Sequence, residues 1–376
     1  MSKAPPETVI QHHGKTLFGL MKEWQQRLQL PSVLLLTGQS GIGKRSMVYF
    51  LAQWILCEKQ GFYSSKSDKA ASDKGTSEPR PCGQCPSCQR ALSGNDVHFT
   101  EIFADSDEES GVGSASTASN SGNSGALKIE QFRKLKASMG FGATEGRSKI
   151  ILIPAADRMT LQAANSVLKL LEETPPGWIF FLTANDPTLL LPTVASRCQI
   201  FRLKPFSTDE LEELLKQADV DSQRIKICAV LAQGSWDRAL SLAKDETWEQ
   251  RKALFQFLKA PSSNIHALVD WASMQPSHFD TLIDLLEQLT ADLIRWTTSS
   301  SISQPESYPW IQSDGAEALA FHAREFGRKH GGIDMARAAW IRHAERLAQA
   351  RLKSSLPLNK KLLIQDVLLP WMESNR

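Results

Sequence analysis

The sequence predicts an α/β domain followed by an all-α region. Short apolar runs (VLLLT, KIILIP, WIFFLTA, QIFRL) alternate with helical patterns as far as about residue 204. The runs are five to seven residues long, the length of buried strands and far short of the roughly 20 apolar residues that span a membrane. From Pro205 onward the strand signal stops and apolar residues recur at helical spacing.

Residues 15–30 place Leu17, Leu20, Met21, Trp24 and Leu28 on one helical face. SVLLLT then reads as a strand, GQSGIGKR (38–45) as a glycine loop, and MVYFLAQWILC as a helix ending at Cys57. Residues 59–79 and 104–125 are rich in Ser, Gly and charge, and bury too little apolar area to offset the entropy of ordering them. They read as insertions. ALKIEQFRKLKASMG sets Ile129, Phe132, Leu135 and Met139 on one face, and KIILIP is a strand. TLQAANSVLKLLEE is a helix capped by Thr160 and closed by Pro175-Pro176-Gly177. WIFFLTA and QIFRL complete the strands. Beyond them STDELEELLKQ opens on a good cap, and Leu282, Leu285, Leu286, Leu289 and Leu293 form an apolar stripe. SSSISQPESYP (299–309) reads as a loop between helices. The helical part is long enough for a small lid and a separate bundle.

The 376 residues are 41% hydrophobic and 22% charged, with a formal net charge of +2. Nothing in that total calls for nucleic acid, so any DNA contact has to come from a local patch or a partner. MSKAPPETVI lacks the apolar core of a secretory signal. The expectation is a soluble, cytoplasmic protein.

Three constellations carry chemistry. In the first, Gly38, Gly41, Gly43 and Lys44 fit a phosphate loop, G-x-x-x-x-G-K-[ST], in which backbone N–H groups and a lysine hold phosphate. Arg45 stands where a Mg²⁺-ligating hydroxyl belongs, and Ser46 lies about 100° further round the helix. The strand KIILIP runs into Pro154-Ala155-Ala156 instead of a pair of acids, with Asp157 beyond the turn. Hydrolysis is not expected, and the residues leave binding of ATP or ADP open. In the second, Cys82, Cys85 and Cys88 make C-x₂-C-x₂-C, and Cys57 can complete four thiolates for a closed, structural Zn²⁺ site. An iron–sulfur cluster or free thiols are the alternatives, and His98 is a further candidate ligand. The third is Ser196-Arg197-Cys198, just ahead of a strand, from which an arginine can reach a neighbouring subunit or make a plain surface salt bridge.

Taken in order, the degenerate phosphate loop, the cysteine set, ADRMTLQAANSVLKLLEETPPG, LTAND…LLPTVASRC, GSWDRAL and LNKKLLIQDVLLPW span nearly the whole chain. Together they resemble the AAA+ subunits of bacterial DNA polymerase III clamp loaders, the delta-prime subunits most of all. The resemblance implies a RecA-like AAA+ domain at 1–204 with a zinc module at about 57–90, a helical lid at 205–265 and a helical collar at 266–376. It implies a non-hydrolysing stator of the DNA polymerase III holoenzyme that helps load a sliding clamp on primed DNA, with Arg197 as an arginine finger. The implied partners are motor subunits and delta in a heteropentameric ring, and an active motor ATPase of the same ring is the alternative. Where the resemblance expects an ATP-sensing arginine (GS-x-R), Arg238 is displaced by one position.

Overall fold

The computed structural model describes residues 7–63, 78–93, 96–102, 127–138, 148–259, 261–298, 310–329, 333–353 and 359–373. Met139, the insertion 104–125, most of 59–79 and the loop 299–309 lie outside the described residues. Two compact units emerge: Met1–Phe206 with Ser235–Asp237, and Ser207–Gly234 with Arg238–Arg376.

In the first unit α1 spans Glu7–Arg27, eight residues longer at its start than the apolar pattern predicts. The reason is His13, which is buried on the apolar face with its Nε2 3.0 Å from the Ile42 carbonyl; a polar letter there interrupts a pattern that Val9 and Ile10 continue. β1 (Val33–Thr37) leads to α2 (Lys44–Leu56), whose C-cap is Cys57. α3 (Pro86–Ser93), β2 (Phe99–Glu101) and α4 (Ile129–Ser138) follow. Next come β3 (Lys149–Ile153), α5 (Leu161–Glu172), β4 (Trp178–Ala184), α6 (Pro192–Ala195) and β5 (Gln199–Arg202). Thr160 caps α5 as expected, its Oγ1 accepting from the Ala163 N–H at 3.2 Å.

Among the described residues five strands form one parallel sheet in the order β2-β3-β4-β1-β5. β1 and β4 are buried along their whole length, as strands covered on both faces must be. Being parallel, the strands deliver Thr37, Glu101, Ile153, Ala184 and Arg202 toward one edge of the sheet. That edge is where an open α/β sheet binds ligands.

The second unit is helical: α7 (Thr208–Gln217), α8 (Ser222–Leu231), most of α9 (Trp236–Ala243), α10 (Asp245–Lys259), α11 (Pro261–Met274), α12 (Pro276–Thr298), α13 (Ala316–Lys329), α14 (Ile333–Lys353) and α15 (Lys360–Glu373). Ser207 and Glu210 form a reciprocal capping box on α7. Arg251 is buried, with Nε and Nη2 2.8 and 2.7 Å from the two Asp314 oxygens and Nη1 donating to Gln312 at 2.8 Å. No helix among the described residues is long and apolar enough to cross a membrane.

Within this unit His322 and His343 sit among Trp340 and Trp371; the Trp371 indole N–H donates to His343 Nε2 at 2.7 Å, and His322 stacks on Trp371 at 4.9 Å. Burial pulls His322 down to about 3, aided by His343, and His343 down to about 4, aided by Arg346. The folded pKa values lie below the unfolded value of about 6.5, so the unfolded chain binds more protons as pH falls through 6.5 toward 4. Unfolding free energy should therefore drop by about 2 kcal/mol per histidine between pH 7 and pH 5. Urea melts at the two pH values check this, and His343→Gln should flatten the dependence.

Candidate functional site

The glycine loop runs off β1 at the ligand-binding edge. Gly38 (φ 145°) and Gly41 (φ 76°) take backbone conformations that side chains disfavour. Packing reinforces this, because a Cβ at Gly38 would lie 2.7 Å from the Leu203 carbonyl oxygen, and one at Gly41 would lie 2.2 Å from Ser235 Oγ. Gly43 (φ 90°) then caps α2, so Lys44 occupies the first turn at the positive end of the helix.

The Lys44 ammonium turns back on its own loop. It donates to the carbonyls of Gly38 (2.6 Å) and Gln39 (2.8 Å) and to Asn185 Oδ1 (2.8 Å), the three bonds an ammonium has to give. Desolvation lowers its pKa to about 8, opposed by the charges of Asp157 and Asp237. Asp157 is engaged as well: its Oδ2 accepts the Asn185 N–H at 2.8 Å. The Asp237 N–H donates to the Gly41 carbonyl at 3.1 Å.

Arg45 reaches β2. Its Nε lies 2.6 Å from Glu101 Oε1 and its Nη2 2.7 Å from Oε2, and the Tyr49 hydroxyl donates to the same Oε2 at 2.6 Å. Glu101 is nearly buried, at 5% side-chain exposure against 43% for Arg45. Burial and the adjacent carboxylate push the Tyr49 hydroxyl well above its usual pKa.

The four cysteines converge, with the sulfurs of Cys57, Cys82, Cys85 and Cys88 all within 4.8 Å of one another. Cys57 belongs to the set despite the long intervening insertion, and His98 does not. Four sulfurs bound tetrahedrally at about 2.3 Å would lie about 3.8 Å apart, and Cys82 Sγ and Cys88 Sγ are 3.9 Å apart. Backbone N–H groups of Gln60 and Cys82 point at Cys57 Sγ (3.3 and 3.4 Å), that of Cys85 at Cys82 Sγ and that of Cys88 at Cys85 Sγ. Such donors favour thiolate. Burial raises the Cys82 thiol, yet hydrogen bonds from backbone and neighbouring cysteines outweigh it and leave its pKa at about 6, while burial raises Cys88. This donor set could hold a metal ion with no position left for a reacting ligand.

Arg197 follows α6, half-exposed, with Nη1 donating to the Thr193 carbonyl at 2.9 Å and Nη2 to Glu172 Oε1 at 2.5 Å. Glu172 is itself exposed, so the pair is worth little in this chain. The sequence reading overlooked Asn185, Glu101 and Asp237. Asn185 carried a signal, being the first residue after the wholly buried β4 and a polar one, whereas Glu101 ends a three-residue strand with no periodicity to read.

A family model described as "DNA polymerase III, delta subunit" matches residues 14–207. The DNA polymerase III subunit delta' of Yersinia pestis is 25% identical over 350 residues, covering 90% of this chain and 88% of that protein. The DNA polymerase III subunit tau of Escherichia coli (strain K12) is 28% identical over 55% of this chain and 28% of its own length. A solved structure of a DNA polymerase III gamma subunit-related protein from Thermotoga maritima is 15% identical, with a TM-score of 0.44 over 95% of this chain and 99% of that one.

Replacing Arg45 by Thr, which supplies the hydroxyl the loop lacks, leaves the nearly buried Glu101 carboxylate without its cation. The expected cost is about 2 kcal/mol, below the range for fully buried pairs because Arg45 is half-exposed, and denaturant unfolding measures it. Cobalt(II) added to the reduced chain should produce thiolate charge-transfer absorbance at one equivalent. Cys57→Ser should diminish that band, and a band unaffected by the substitution would remove Cys57 from the set.

Proposed function

The chain belongs to the DNA polymerase III delta subunit family, and we propose that it is a stationary, non-hydrolysing subunit of the clamp loader that offers Arg197 to a neighbour's ATP site. In this role it helps open a sliding clamp and place it on primed DNA in the cytoplasm, within a heteropentameric ring of motor subunits and delta. The helical unit supplies a lid at 205–265 and an assembling collar at 266–376. Cys57, Cys82, Cys85 and Cys88 bind a structural Zn²⁺ that holds the module at about 57–90 together.

The observation that carries this reading is at Arg45. At the position where hydrolysis needs a hydroxyl on Mg²⁺ stands a guanidinium bound twice to Glu101. Asp157, the nearest substitute acid, has one oxygen on the Asn185 N–H. Arg197, by contrast, is half-exposed and held by an exposed carboxylate that a phosphate in a neighbouring subunit would outbid. The retained glycines and Lys44 favour the second reading, an active motor subunit with Lys44 on the phosphates.

ATP hydrolysis by the reconstituted loader, stimulated by clamp and primed DNA, separates the two. With Arg197→Ala turnover should fall several-fold; the loss at the affected site itself is on the order of the 10³–10⁵ known for arginine fingers. The chain alone should be silent. Turnover by the isolated chain that Lys44→Ala abolishes would establish the motor instead.

A further inference from the structure

We propose that Asp237 is a built-in anion of the glycine loop, holding Lys44 in its self-bonded state and excluding nucleoside di- and triphosphates. The inference deepens the non-hydrolysing reading and rests on it. Its basis is the way Ser235–Asp237, the start of α9, lies against the loop. Gly41 has no side chain, and the space a Cβ would occupy is taken, 2.2 Å from Ser235 Oγ and 3.1 Å from Asp237 Cβ. The Asp237 N–H bonds to the Gly41 carbonyl at 3.1 Å, pinning the segment.

Two carboxylates act on the Lys44 charge, those of Asp157 and Asp237. Asp157 has one oxygen on the Asn185 N–H, whereas Asp237 is an exposed residue whose carboxyl desolvation holds above the usual carboxylate range, with the Lys44 charge opposing that shift. A polyphosphate entering the loop has to draw Lys44 away from Gly38, Gln39 and Asn185 while passing a like charge. Repulsion over a few ångströms at a partly shielded site changes affinity by about tenfold or more. The pinning contact uses the Asp237 backbone, so a change of side chain leaves it in place.

The test is titration of the full chain with a fluorescent ADP analogue, and with unlabelled ADP by calorimetry. Asp237→Asn should bind about tenfold tighter than the wild-type chain. Adding Lys44→Met should abolish that gain. Thermal melting reports whether the fold is kept, and Asp237→Ala serves if the Asn variant melts lower. Equal affinity of wild-type and both Asp237 variants overturns the proposal, as does a gain that survives loss of Lys44. The readout is binding by the isolated chain, so its failure is distinct from a loader that ignores Arg197→Ala.

Discussion

The ammonium of Lys44, bonded to two carbonyls of its own loop and to Asn185, is the interaction on which the edge of the sheet is organised. A cation in the first turn of a helix works against the helix dipole, and one drawn partly out of water needs all its donors used. The loop answers both needs by turning its carbonyls inward, which the positive φ values of its glycines allow. Asn185 is in turn fixed through its N–H by Asp157, so the ends of β1 and β4 and the turn after β3 close on one charge.

Arg45 beside it doubles the problem, with two successive cations at the positive end of α2. The second is neutralised from β2, where Glu101 forms an ion pair with the guanidinium and its Oε2 accepts one hydrogen bond from Arg45 Nη2 and one from the Tyr49 hydroxyl. Edge strand β2 is thereby tied to α2 by charge as well as by packing. The same groups that stabilise the fold place a guanidinium at the loop position where a Mg²⁺-ligating hydroxyl would stand.

At its other end α2 delivers Cys57 to the cysteine cluster, and the Gln53 side-chain amide donates to the Cys88 carbonyl at 3.0 Å across to α3. Ser87 adds a hydrogen bond to Glu58 at 2.7 Å. One helix therefore joins the glycine loop to the cysteine cluster. Arg197 differs in kind. Its side chain bonds a backbone carbonyl and an exposed acid.

The α/β-then-helical layout, the strands β1, β3, β4 and β5, the Thr160 cap and the cysteine set were legible in the sequence, because apolar periodicity and ligand spacing are local properties. The start of α1 was not, since a buried histidine reads as polar until the Ile42 carbonyl that satisfies it is known. Loop and lysine were visible as a motif, but not their self-bonded state, which depends on Asn185, Asp157 and Asp237, far away in sequence. What the sequence by itself determined is thus the elements and the chemical types it offers at each. Only the tertiary structure decided which charges face one another, because electrostatic and hydrogen-bond energies depend on distances of a few ångströms between residues the chain order leaves far apart.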